Sequence, residues 1–102
     1  MAMLHTVNKS SFDRNTFESC LRLAKAGSSV LLIEDGIYAA MKNTIVAEQI
    51  NATMSTLNFY ILGPDMDARG VKADNLIDGF KVVDYSGFVD LSIEHDSVQS
   101  WL

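Results

Sequence analysis

Val30, Leu31, Leu32 and Ile33 form a continuous apolar run that breaks off in Glu34, Asp35 and Gly36. A segment apolar at every position has no side left for solvent. It predicts a strand covered on both faces, as in a parallel sheet flanked by helices. Gly36 allows a sharp reversal without a Cβ penalty. Ile37 to Met41 then resume in helix-compatible chemistry. Glu34 and Asp35 fall at the carboxyl end of this central strand, the edge where open α/β sheets place ligands. More often two such carboxylates merely solvate a turn and favour the start of the next helix.

The rest of the chain alternates around this stretch. Met3 to Val7 reads as a first strand and Asn8 to Asp13 as a loop. Phe17, Cys20, Leu21 and Ala24 repeat at i, i+3, i+4 and i+7, so they share one face of a helix. Asp13 or Asn15 is placed to cap that helix, and Asn15 with Glu18 has capping-box spacing. Lys25 suits its last turn and Gly27 its stop. After the central strand, Ser29 to Ile33, a helix is expected from about Gly36, interrupted at Lys42 to Thr44 and resumed from Ile45 to about Met54. Leu57 to Leu62 reads as a third strand, ended by Gly63 and Pro64. A helical turn over Asp65 to Gly70 and an irregular connector over Val71 to Gly79 follow. Phe80 to Tyr85 is a fourth strand, Ser86 to about Asp96 a helix capped by Ser86, and Val98 to Leu102 a short fifth strand. This alternation predicts a single three-layer α/β domain over residues 1–102, with a mostly parallel sheet of about five strands flanked by helices. Its carboxyl edge would gather Asn8, Lys9, Glu34, Asp35, Asp65, Asp84 and Tyr85.

Composition narrows the function. In 102 residues, 48% are hydrophobic, enough for one core without disulfides or metal. Thirteen acidic against eight basic residues give a net charge of −5, which disfavours gripping phosphate backbones. No apolar run approaches the ~18 residues of a membrane helix. The opening MAMLHTVNKS lacks the apolar core of a signal peptide, so a cytoplasmic location is expected. One cysteine forms no internal disulfide and fits a reducing compartment.

Few residues carry chemistry. Cys20, the sole thiol, lies on the apolar face of the first helix among Thr16, Phe17, Leu23 and Ala24, where no cation would lower its pKa. That reads as a buried structural cysteine. His5 and His95 are far apart, and with one cysteine they make no metal-ligand pattern. His5 alternates within a strand, as a satisfied, semi-buried histidine does. There is no G-x-G-x-x-G, Walker A, G-x-S-x-G or H-E-x-x-H motif, so no cofactor or metal is expected and the chain is poorly equipped as an autonomous enzyme. Phe88, Val89, Ile93 and Trp101 give the C-terminal segment more apolar surface than a short helix needs.

Taken together, LHTVNKS, ESCLRLA, LLIEDGIYAA, YILGPDMDARG and VVDYSGFVDLSIEHDSVQSWL resemble the DsrH/TusB family from Leu4 to Leu102. The stretch from Lys42 to Thr56 is the least family-like. The resemblance implies a DsrE-like parallel sheet and membership of a heterohexameric DsrEFH- or TusBCD-type complex. Such complexes relay persulfide sulfur, in sulfur oxidation or toward 2-thiolation of the tRNA wobble uridine. The implied partners are DsrE/TusD-like and DsrF/TusC-like subunits and a DsrC/TusE-like acceptor, with self-association of the isolated chain also open. The principal persulfide cysteine of the family lies on the DsrE/TusD subunit. Cys20, within ESCLRLA, is similar to the DsrH branch and is implied as an auxiliary sulfur-handling thiol. Two alternatives stand beside it: a non-catalytic scaffold subunit of the same complex, and a free-standing α/β module binding a small ligand at the acidic edge.

Overall fold

The computed structural model describes residues 3–9, 16–42, 44 and 46–101. Five strands, β1 (Met3–Val7), β2 (Ser29–Leu32), β3 (Asn58–Leu62), β4 (Lys81–Val83) and β5 (Ser97–Trp101), form one sheet in the order β4-β3-β2-β1-β5. Every pairing is parallel. The helices are α1 (Thr16–Leu23), α2 (Ala47–Thr53), α3 (Gly63–Ala68) and α4 (Tyr85–Glu94), joined by two 3-10 helices, Glu34–Ala40 and Ala73–Asn75.

The central run behaves as its pattern requires. Val30, Leu31 and Leu32 are all fully buried. Val30 and Leu32 point into a large cluster with Phe17, Cys20, Ile37 and Phe59, whereas Leu31 points the other way, onto Leu4 and Leu91. Burying each of the large apolar side chains contributes roughly 1.5–3 kcal/mol.

The two layers of helices are unequal. From β1 to β4 the chain steps across the sheet in one direction, and the segments between those strands supply the large cluster. Among the described residues, only the return from β4 to β5 crosses the opposite face. Among these residues, α4 alone covers that face, through Leu91 and Phe88. Its outer side is left with exposed Tyr85, Val89 and Ile93. Of the apolar C-terminal surface expected from sequence, Val89 and Ile93 are exposed, but Phe88 packs beneath α4 and Trp101 joins the large cluster.

Several boundaries differ from the sequence pattern for local reasons. The helix after β2 is a 3-10 helix that begins at Glu34, two residues before Gly36. α3 begins at Gly63 with Pro64 in its first turn, where a missing N–H breaks no intrahelical bond. α4 is capped by Asp84, not Ser86: the Asp84 carboxylate accepts from the Gly87 N–H at 2.8 Å, and Ser86 already lies in the first turn. α1 closes at Leu23 with Arg22 in its last turn. Lys25 and Gly27 fall in the following turn, where Gly27 adopts φ +89°. The connector over 71–79 contains the Ala73–Asn75 turn and lies along residues 40–42, through Ile77 N–H to Ala40 O and Lys42 N–H to Asn75 O, both 2.8 Å. The cap positions Asp13 and Asn15 lie outside the described residues.

Candidate functional site

The carboxyl edge of the sheet does gather the acidic residues, but it uses them to hold a turn. Glu34 takes φ 49°, a left-handed conformation that costs a residue with a Cβ about 1 kcal/mol. Its N–H donates to Asp65 Oδ2 at 2.7 Å. Asp35 Oδ1 accepts from Arg69 Nε at 3.0 Å, and Arg69 Nη1 donates to the Asp65 carbonyl at 3.3 Å. The turn after β2 is thus clamped to α3 by two carboxylates and one guanidinium. Asp35 engages a cation and Asp65 a backbone donor, so these two carboxylates brace the turn. The i, i+4 spacing of Asp65 and Arg69 marks the two as helix neighbours, but the carboxylate that Arg69 pairs with lies 34 residues away, on the turn after β2.

The two contacts differ in worth. Asp65→Ala is expected to lower stability by about 1–2 kcal/mol in urea titrations, because it strips the acceptor from a strained backbone. Arg69→Ala should cost less than about 1 kcal/mol, because its half-exposed pair is screened by solvent.

Farther along this edge, a groove of about 610 Å³ opens between α3 and α4, lined by Gly63, Pro64, Asp67, Val82, Val83 and Asp84 among others. Asp84 is engaged as the α4 cap. At the end of β1, Asn8 Oδ1 is buried with no hydrogen-bond partner among the described residues.

Cys20 lies away from that edge, under α1. Its side chain is fully buried in the large cluster with Phe17, Leu21 and Ile50. Burial pushes its thiol up to about 12. At neutral pH it is a protonated, weak nucleophile. The structure does not bring it together with Glu34 and Asp35.

The two histidines serve different ends of the sheet. His95 Nδ1 is 2.6 Å from the Leu91 carbonyl, which can only accept, so Nδ1 carries the proton. In the neutral ring, Nε2 then accepts from the Ser29 hydroxyl at 2.8 Å. A serine facing a histidine base is the geometry of an activated nucleophile. Here Ser29 is only 2% exposed, and the pair ties the end of α4 to the start of β2. Sequence separation of 66 residues hid this contact.

His5 is buried, and its Nδ1 accepts from the Trp101 indole N–H at 3.0 Å, joining β1 to the edge strand β5. Burial lowers its pKa. The unfolded chain therefore binds a proton that the folded chain resists, and the contribution of His5 to stability is full above its ordinary pKa of 6.5 and falls as pH drops below it. Urea midpoints should decrease from pH 7 to pH 5, with the emission of Trp101, the sole tryptophan, following the loss of β5. His5→Asn, whose Oδ1 can accept in place of Nδ1 without titrating, should remove that part of the pH dependence.

Comparison with known proteins places this architecture. A family model described as "DsrH like protein" matches residues 9–98. The chain is 34% identical to Protein TusB of Erwinia tasmaniensis and 31% identical to Protein TusB of Escherichia coli K12, each over 99 residues that span 97% of this chain and all of the relative. Among solved structures, it is similar to the ychN protein of E. coli, with TM-score 0.85, 14% identity and 98% of both chains covered. It is also similar to protein MTH1491 of Methanobacterium thermoautotrophicum, with TM-score 0.75, 14% identity and 96% and 97% coverage. At those identities the structures share the fold.

Proposed function

The chain belongs to the DsrH family, and from that premise we propose that it works as a small subunit of a cytoplasmic sulfur-relay complex of the DsrEFH or TusBCD type. The observation that carries this reading is the family match over residues 9–98, supported by full-length similarity to TusB proteins. The TusB names favour delivery toward the tRNA wobble uridine over sulfur oxidation. The partners are DsrE/TusD-like and DsrF/TusC-like subunits, with a DsrC/TusE-like acceptor. The relay chemistry is thiol–persulfide exchange. An acceptor thiolate attacks the outer sulfur of a donor persulfide; the S–S bond breaks, the donor leaves as a thiolate, and the acceptor becomes the persulfide.

Two roles for this chain are distinguishable. In one, Cys20 accepts sulfur in transit. In the other, the chain is a scaffold that shapes the sulfur-carrying subunits. The burial of Cys20 and its raised pKa favour the scaffold, because a thiol in the core reaches a persulfide only if α1 lifts away. The test is to reconstitute the complex with its sibling subunits, load it from a persulfide donor, and follow sulfur delivery and intact mass. A scaffold predicts equal assembly and delivery for wild type and Cys20→Ala, with no sulfur adduct on this chain. An adduct on Cys20, together with loss of delivery in the variant, would assign it the relay role. Failure of the wild-type chain to join the sibling subunits would remove the sulfur-relay reading.

A further inference from the structure

We propose that the outer face of α4 is a docking surface for a protein partner whose contact patch is apolar and edged with lysine and arginine. Tyr85, Val89 and Ile93 repeat at i, i+4 and i+8, and so form one stripe along the helix. They are 60%, 57% and 76% exposed, and Val98 on the neighbouring β5 is 48% exposed. The fold does not need this stripe. α4 already holds the sheet through Leu91 and Phe88 on its opposite side, with the Asp84 cap and the His95–Ser29 contact fixing its two ends. An aligned row of large apolar side chains on a helix whose inner side is already satisfied marks a contact surface.

Charge selects the occupant. Asp90 and Glu94 each follow a stripe residue by one position and line the same flank, and Asp84 and Asp96 stand at the two ends. The stretch from Asp84 to Asp96 contains no lysine or arginine. Lys81 on β4 is turned toward the Tyr60 ring, 6.0 Å from its centroid. A second copy laid on this face would press carboxylates against carboxylates, and anionic lipid or nucleic acid would be repelled in the same way. A basic-rimmed, apolar protein surface satisfies both the stripe and its flank.

The choice of probe rests on the sulfur-relay reading above: the DsrE- and DsrF-like sibling subunits. Assembly is measured by sedimentation velocity for wild type, for Val89→Glu/Ile93→Glu and for Asp90→Lys/Glu94→Lys. All four positions are exposed, so urea midpoints should stay near wild type and loss of assembly is not loss of fold. The first variant should weaken assembly by about 100-fold, the loss expected when anchoring apolar residues are replaced by charge. The second should weaken it by about 10-fold and reduce the salt sensitivity of the complex. In hydrogen exchange, residues 85–98 should gain protection on assembly. Wild-type assembly by both variants, or protection confined to other elements, overturns the proposal. Dimerisation of the free chain that Ile93→Glu abolishes would assign the face to a second copy and also overturns it. If the wild-type chain joins neither sibling, the sulfur-relay reading fails, and this assignment of the occupant fails with it.

Discussion

Gly36→Ala is expected to abolish the cooperative unfolding transition, or to lower stability by more than about 4 kcal/mol, well beyond a typical single substitution. The cause is space. Gly36 is buried, and a Cβ built there would fall onto the Val7 carbonyl oxygen and lie 2.9 Å from the carbonyl carbon. Val7 cannot retreat. It ends β1, between β2 and β5, paired with Leu32 on one side and Trp101 on the other. Its carbonyl also accepts the Ile33 N–H at 3.0 Å, the bond that starts the turn. Relieving the clash would break that bond or shear a central strand. Gly70→Ala is the control. Gly70 has φ +69° but open space around the missing Cβ, so its cost should be only about 1 kcal/mol, from backbone conformation alone. Circular dichroism and urea melts of the two variants decide the matter: equal stabilities would refute the close approach at Gly36.

That contrast shows where the sequence was legible. The apolar run Val30–Leu32 announced a doubly covered strand because burial on both faces leaves no polar position, and all three side chains are indeed buried. The glycine after it was visible, but its reason was not. The left-handed residue is Glu34, whereas Gly36 is required by a carbonyl from β1, 29 positions earlier in the chain. The same limit applies to the site. Glu34, Asp35 and Asp65 were expected at one edge from strand order, and they meet there. Whether they would react or clamp depended on Arg69, whose guanidinium reaches Asp35 across 34 residues. Local chemistry misplaced the α4 cap by two residues, since Asp84 and Ser86 are both good caps and only the strand's end decides between them. Phe88 and Val89 are adjacent and equally apolar, yet one is packed and the other exposed. Only the direction in which α4 crosses the sheet separates them.

Cys20 should react with a thiol reagent at neutral pH at least about 1,000-fold more slowly in the folded chain than in urea. A shift from 9.0 to about 12 removes that much thiolate, before any loss of access is counted. The shift also has a sign in stability. A buried thiol is favoured in its neutral form, so its contribution is full below the ordinary thiol range and is lost as pH rises from about 9 toward 12. Wild type should therefore weaken in mild alkali by a component that Cys20→Ala lacks. Labelling of the folded chain then proceeds through rare openings of α1, and its rate should scale with urea as an opening equilibrium does. This makes Cys20 a reporter for the complex as well as for the monomer. A scaffold subunit gains packing from its neighbours, so labelling should slow further on assembly. A relay subunit must instead present a thiolate, so labelling should accelerate toward the unfolded rate when the sibling subunits bind. Labelling of free and assembled chain at fixed pH separates the two, because burial that protects the core and access that sulfur transfer demands move the same rate in opposite directions.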